Sequence, residues 1–192
     1  MTQTWRATEK AQRRARYLRE AGHLFALRGY HAVTIDDLGA AVGVSGPALY
    51  RHFASKEAML GELLVNASER LLDGFHSITG QDEADLDTIE HLIAFHIGFA
   101  LAERDVIRIQ ERELPSLPAQ SNHRVRMLQR QYVQGWSEIV ARLRPDLPTA
   151  DLEVKMHALF GILNSTPYNA RLDGIADIRG SPDRNGDPGH PR

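Results

Sequence analysis

The stretch Thr34–Lys56, TIDDLGAAVGVSGPALYRHFASK, decides how this chain is read. It holds two short helical patterns separated by a tight turn. Thr34 suits a helix N-cap, and Asp37 three residues on completes a capping-box pair. Ile35, Leu38 and Val42 recur at helical spacing and predict one buried face. Gly39 falls on the inward side, where a missing side chain lets a second helix cross closely. Gly43 fits the left-handed residue that stops the first helix, and Val44 plugs the turn. Ser45 caps the second helix. Pro47 sits in its first turn, where the missing N–H breaks no bond. Leu49 and Phe53, four apart, point inward. Gly46, Ala48, Tyr50, Arg51 and His52 are left on outer or flanking positions. Two helices in this relation form a helix-turn-helix, whose second helix can enter a major groove.

Upstream, residues 8–28 predict a helix. Ala11, Ala15, Leu18, Gly22 and Phe25 alternate at spacings of four and three, Ala21 and Leu24 widen the face, and Gly29 ends it. Residues 1–7 are expected to fray. The Arg-rich start of this helix lies on its outer face. Residues 1–56 hold nine Lys and Arg against four acids, a balance of +5, whereas the rest of the chain holds fourteen against twenty-one, a balance of −7. A basic front and an acidic back suit a protein that presents one end to phosphate. A solvated helix face would account for an Arg cluster alone, but not for its place beside the helix-turn-helix.

Downstream, Ser55 is expected to cap a long helix running to about Ile78. Its apolar stripe is Met59, Leu60, Leu63, Leu64, Ala67, Leu71, Leu72 and Phe75. At ~1.5 Å per residue such a rod is roughly 35 Å long. A polar linker follows at residues 79–85. Asp82, Asp85 and Asp87 within and beside it lack the glycine and terminal Glu of a calcium loop. Residues 86–103 read as a central helix with Ile89, Ile93, Ile97 and Ala100 on one face. Its His91 and His96 are five apart, not the i, i+4 pair that grips zinc, and read as ordinary histidines. Helices are further predicted over 105–114, ended by Pro115 and Pro118, then over 119–144, and over 149–166 with Thr149 as cap. No strand alternation and no repeat occurs. The fold class is all-α, with a helix-turn-helix unit over residues 1–54, a helical bundle over 55–171, and a Gly- and Pro-rich tail over 172–192 that reads as disordered.

The composition, 42% hydrophobic and 25% charged, is that of an ordinary soluble domain. The absence of cysteine excludes disulfides and thiolate chemistry. No apolar signal core opens the chain and no run reaches membrane-spanning length, so a cytoplasmic place is expected. There is no phosphate-cradling glycine loop and no zinc-protease pair. Ser45 between Gly43 and Gly46 imitates a nucleophile elbow, but the turn joins two helices rather than a strand and a helix. No enzymatic role, metal or cofactor is expected.

Thr34, Leu38, Gly43-Val44, Leu49-Tyr50, His52-Phe53 and Ser55-Lys56 resemble the DNA-binding module of TetR-family transcriptional regulators. The resemblance is specific over about residues 10–60 and looser to 171. It implies a repressor that binds double-stranded operator DNA as a homodimer, nucleoid-associated when bound and released by a small apolar effector. The implied DNA-binding set is Thr34, Ser45, Gly46, Pro47, Ala48, Tyr50, Arg51, His52 and Lys56. Among these, Tyr50, His52, Thr34 and Lys56 would hold phosphate, Ala48 could meet a thymine methyl, and Arg51 would be the strong base reader. Asp36 departs from the pattern, standing where relatives often place a DNA-facing base. The implied effector-binding candidates are Phe95, Phe99, Trp136, Phe160 and Asn164, and the aromatics among them read equally well as plain core. The segment around Asn164-Ser165-Thr166-Pro167-Tyr168 is similar to regulators of fatty-acid breakdown, which points to a fatty acyl-CoA. The family's dimer uses two C-terminal helices. Here only the 149–166 helix is predicted, with Leu159 and Leu163 as its seam. A helical interaction protein whose helix-turn-helix no longer binds DNA is the alternative.

Overall fold

The computed structural model describes residues 2–81 and 84–168, which form eight α-helices and no strand. They are α1 (Thr2–Arg28), α2 (Ile35–Val42), α3 (Gly46–Leu49), α4 (Lys56–Thr79), α5 (Asp85–Ala102), α6 (Arg104–Glu113), α7 (Ala119–Leu143) and α8 (Thr149–Ser165). One-turn 3-10 segments follow α6 and α8. The tail over 172–192, and the place where a further C-terminal helix would stand, lie outside the described residues, as do Asp82 and Glu83.

The helix ends follow from local chemistry. The Thr34 hydroxyl accepts from the Asp37 N–H at 3.1 Å, and the Asp37 carboxylate accepts from the Thr34 N–H at 2.9 Å, so two N-terminal donors of α2 are satisfied reciprocally. Gly43 takes φ 76° and Gly29 takes φ 84°, the left-handed values that stop α2 and α1. The Ser55 hydroxyl caps α4 through the Ala58 N–H at 3.1 Å. Two ends differ from expectation. Helix α1 starts at Thr2, because no Gly or Pro interrupts it before Gly22. Its burial begins only at Tyr17 and Leu18, while Ala11 and Ala15 are exposed. In α8, Thr149 is already helical; the flanking residue is Pro148, and no side chain caps this end.

Two apolar clusters hold the helices together. The first joins Leu18, Ala21 and Phe25 of α1, Tyr30 and Val33 of the connector, Leu38, Leu49, Phe53 and the first half of α4, and extends to Val106 and Ile109 of α6 and Val125 of α7. The second joins Phe75 of α4, Leu92 of α5, Tyr132, Trp136 and Ile139 of α7, and Leu152, Met156 and Leu163 of α8. Each fully buried Leu in such a core contributes about 1.5–3 kcal/mol. Helix α4 has residues in both clusters, so it is one rod shared by the helix-turn-helix and the helices behind it. Leu163, expected on a dimer seam, is 4% exposed within its own chain. The apolar residues α8 leaves outside are Ala150, Val154, Ala158 and Ile162. At the far end Arg142 grips Asp85 at 2.5 and 2.8 Å, tying the start of α5 to α7.

Candidate functional site

The helix-turn-helix is built on a backbone contact. A Cβ at Gly39 would stand 2.7 Å from the Val44 carbonyl oxygen and 2.8 Å from the Gly46 nitrogen, so α2 and α3 cross closely only because residue 39 has none. Gly46, expected outward, is buried, with the Asp36 carboxylate and the Ile35 side chain over it. Helix α3 is one α-helical turn. Bonds from the His52 and Phe53 N–H groups to the Leu49 carbonyl, at 2.9 and 3.1 Å, continue the coil. Leu49 and Phe53 plug this unit into the first core. Pro47, Tyr50 and Arg51 face solvent, Ala48 and His52 are half-buried, and Thr34 and Ser45 lie exposed at the caps. Tyr50 is 51% exposed, so part of its ring is open to solvent.

Lys56 is engaged inside the protein. Its ammonium donates to the carbonyls of Tyr30 and Val33 at 3.0 and 2.9 Å and lies 4.4 Å above the Tyr30 ring. It thereby ties the first turn of α4 to the connector ahead of α2. Arg14 is similarly committed. It donates to the Glu62 carboxylate and the His52 carbonyl, with its guanidinium 4.1 Å over the Phe53 ring. The His52 imidazole packs edge-on against Tyr17 at 5.1 Å. Its pKa is held below the ordinary histidine value, first by burial and then by the charges of Arg13, Arg14, Lys10 and Arg51. Of these cations Arg13 is paired with Glu9 and Arg14 with Glu62.

A second feature lies among the helices behind. A cavity of about 240 Å³ is walled by Leu71, Ile107, Leu128, Val133 and Phe160, with Ser68, His96, Gln110, Gln129, Tyr132 and Asn164 as its polar members. No Lys, Arg, Asp or Glu lines it. His96 sits 3.1 Å through Nδ1 from the Tyr132 hydroxyl and 3.1 Å through Nε2 from Asn164 Oδ1. One tautomer satisfies both contacts: the Tyr132 O–H donates to Nδ1, and Nε2–H donates to Asn164. Burial lowers the His96 pKa and raises that of Tyr132, so both are neutral near pH 7. Trp136, wholly buried, stands edge-on to His96 and Phe160.

Of the effector candidates, Phe160 and Asn164 line the cavity and Trp136 packs against residues that line it. Phe95 instead fills the space left by Gly74 of α4, and Phe99 packs against the first core below Arg70. Neither is among the lining residues. His96 was missed because it was weighed only as half of a metal pair. The signal for it was present: Thr88, Leu92, His96 and Ala100 recur every four residues and form the most buried line on α5.

A capped helix-turn-helix followed by a helical body with a pocket among its helices is the plan of a helix-turn-helix regulator. The chain belongs to the tetR family of bacterial regulatory proteins: residues 18–63 match the family's N-terminal part, described as "Bacterial regulatory proteins, tetR family", and residues 82–171 match the "Tetracyclin repressor-like, C-terminal domain". It is 32% identical over 110 residues to the HTH-type transcriptional repressor KstR2 of Rhodococcus jostii, covering 57% of this chain and 54% of that protein. It is 36% identical over 104 residues to the nucleoid occlusion factor SlmA of Photorhabdus laumondii, covering 53% and 52%. The matched segments thus span about half the length of these curated relatives. In fold, it superimposes on a TetR-family regulator from Bordetella parapertussis with a TM-score of 0.78 at 24% identity, over 84% of this chain and 85% of the other. No helix among the described residues is long and apolar enough to cross a membrane.

Proposed function

We propose that this protein is a transcriptional repressor that binds operator DNA as a homodimer through α3 and is released by a small, mostly apolar effector in the cavity. One observation carries the DNA half: Pro47, Tyr50 and Arg51 are exposed on a closely crossed α2–α3 unit within the basic part of the chain. Arg51 reads a base edge and Ala48 meets a thymine methyl. Thr34, Ser45, Tyr50 and His52 set the register on phosphates. Gly46 and Lys56 act from behind, by letting the helices close and by holding the connector. A dimer is required because one short α3 offers few base-reading groups, and two must stand about 34–36 Å apart to read successive turns. The KstR2 relatives carry the name repressor, which favours repression over activation. No catalytic step is assigned.

The effector half rests on the uncharged cavity. Its volume suits an acyl segment, and the nucleotide part of a fatty acyl-CoA would have to lie outside it. The test is a fluorescence-anisotropy titration of DNA from upstream of the protein's own gene. Wild type should bind with strong salt dependence. Arg51→Ala should lose about 1–3 kcal/mol at one base pair per half-site and little elsewhere. A uniform loss over all operator variants would make Arg51 a phosphate contact. Absence of salt-dependent binding to any fragment would leave the interaction-protein alternative.

A further inference from the structure

Resting on the effector reading above, we infer that the cavity selects an uncharged molecule bearing a carbonyl oxygen and rejects the corresponding free carboxylate, with the side-chain amide of Asn164 as the group that reads the carbonyl. Asn164 Oδ1 is committed to His96. That contact fixes the amide orientation and turns Nδ2, with its two N–H donors, away from the imidazole. Asn164 stands in the cavity wall, so those donors are available to an acceptor inside. His96 is the positioning residue, itself held by Tyr132 from the other side.

Charge settles the class. With no Lys or Arg in the lining, a carboxylate would enter without a counter-ion and lose its water, which costs far more than burying a neutral carbonyl that finds a donor. Both imidazole nitrogens are already engaged, and burial disfavours the imidazolium that could have paired with an anion. Gln110 and Gln129 offer further neutral amides and no net charge. Size sets the length: about 240 Å³ corresponds to roughly eight water volumes at ~30 Å³ each, hence a ligand segment on the order of ten non-hydrogen atoms. A medium-chain ketone, ester or thioester acyl group meets these conditions, and a fatty acid does not.

The experiment compares nonan-2-one, methyl octanoate and sodium octanoate by isothermal calorimetry and thermal melting of the full chain at pH 7.5. The first two should raise the melting temperature and bind at least tenfold more tightly than octanoate. Asn164→Leu should weaken the ketone at least tenfold, and Phe160→Trp, which fills the cavity, should abolish binding of all three. Circular dichroism melts establish that each variant folds. Octanoate binding as tightly as the ester, no shift with any of the three, or ketone binding untouched in both folded variants would each overturn the assignment. Operator binding is read separately. A ketone that binds through Asn164 yet leaves operator affinity unchanged upholds the cavity chemistry and removes the effector role.

Discussion

Replacing Lys56 by Met separates two tasks that the sequence alone merges into one. By resemblance Lys56 holds phosphate, but two of its three N–H donors go to the Tyr30 and Val33 carbonyls. Met keeps the length and removes the donors. A single hydrogen bond to a charged group is worth about 1.5–3 kcal/mol. The two here are part-buried and share one ammonium, so we take about 2 kcal/mol for the pair, with the cation–π contact inside it. For a chain of this size ~2 kcal/mol corresponds to a melting temperature lower by about 4–8 °C. Loosening the connector displaces α2 and α3 together, so DNA affinity should fall evenly over all operator sequences. The slope of log affinity against log salt should stay near wild type, whereas a lost phosphate contact would flatten it by about one unit. Thermal melts and anisotropy titrations between low and physiological salt measure both. An unchanged melting temperature with a slope flattened by a full unit would refute the tether and return Lys56 to the phosphates.

Gly39→Ala should destabilise by about 1–3 kcal/mol, because its new methyl meets backbone at Val44 and Gly46; Gly46→Ala should cost less, since the Asp36 side chain above it can swing aside, and chemical denaturation of the two variants gives the order. Operator affinity should rise as the pH falls toward 6: phosphates offset the cations that depress the His52 pKa, the complex takes up a proton, and a His52→Gln variant should flatten the profile. The fold itself runs the other way. His52 and His96 have folded pKa values below the unfolded value near 6.5, so the stability they contribute is present above that value and is lost as the pH falls through their folded pKa values, which melts across pH 5–8 would register. Ile162→Asp together with Val154→Asp, on the outward face of α8, should shift sedimentation toward monomer and abolish operator binding with little change in monomer stability, whereas an intact dimer would place the seam elsewhere.

The helix-turn-helix was legible because its determinants are local. Thr34 and Asp37 cap within four residues, Gly43 stops α2 by its own backbone angle, and Leu49 and Phe53 declare their face by spacing. The cavity was not, because its walls come from five helices and their meeting depends on packing that no window of sequence contains. The family resemblance implies Phe95, Phe99, Phe160 and Asn164 alike as effector candidates, but Phe95 and Phe99 turn to other surfaces. Gly46 shows the limit even within the motif. Its position marks it as flanking, but only the closure of Asp36 and Ile35 over it reveals that it is buried.

The cavity and the helix-turn-helix meet at α6, and there the proposed release of DNA can be tested. Ile107 lines the cavity, while Val106 and Ile109, on the same ten-residue helix, belong to the first core with Leu18 and Phe25 of α1. A ligand that presses on Ile107 therefore moves a rigid element whose other face supports α1. The coupling is reciprocal, so operator DNA must weaken the ligand by the factor by which the ligand weakens the operator. Val106→Ala thins the α6–α1 contact, leaving Ile109 and the His23–Asp105 pair, without touching the cavity wall. Removing two methyl groups from this buried site should cost about 2 kcal/mol of stability, somewhat below the larger aliphatic truncations. Ligand affinity should stay within about twofold, a difference under ~0.5 kcal/mol, and the ligand's effect on operator affinity should shrink. Calorimetry on the free protein and anisotropy with and without saturating ligand separate the two quantities. Full coupling in Val106→Ala, and again with Ile109→Ala added, would mean that the signal travels along α4, whose Ser68 and Leu71 line the same cavity and whose Leu60 and Leu64 sit in the first core.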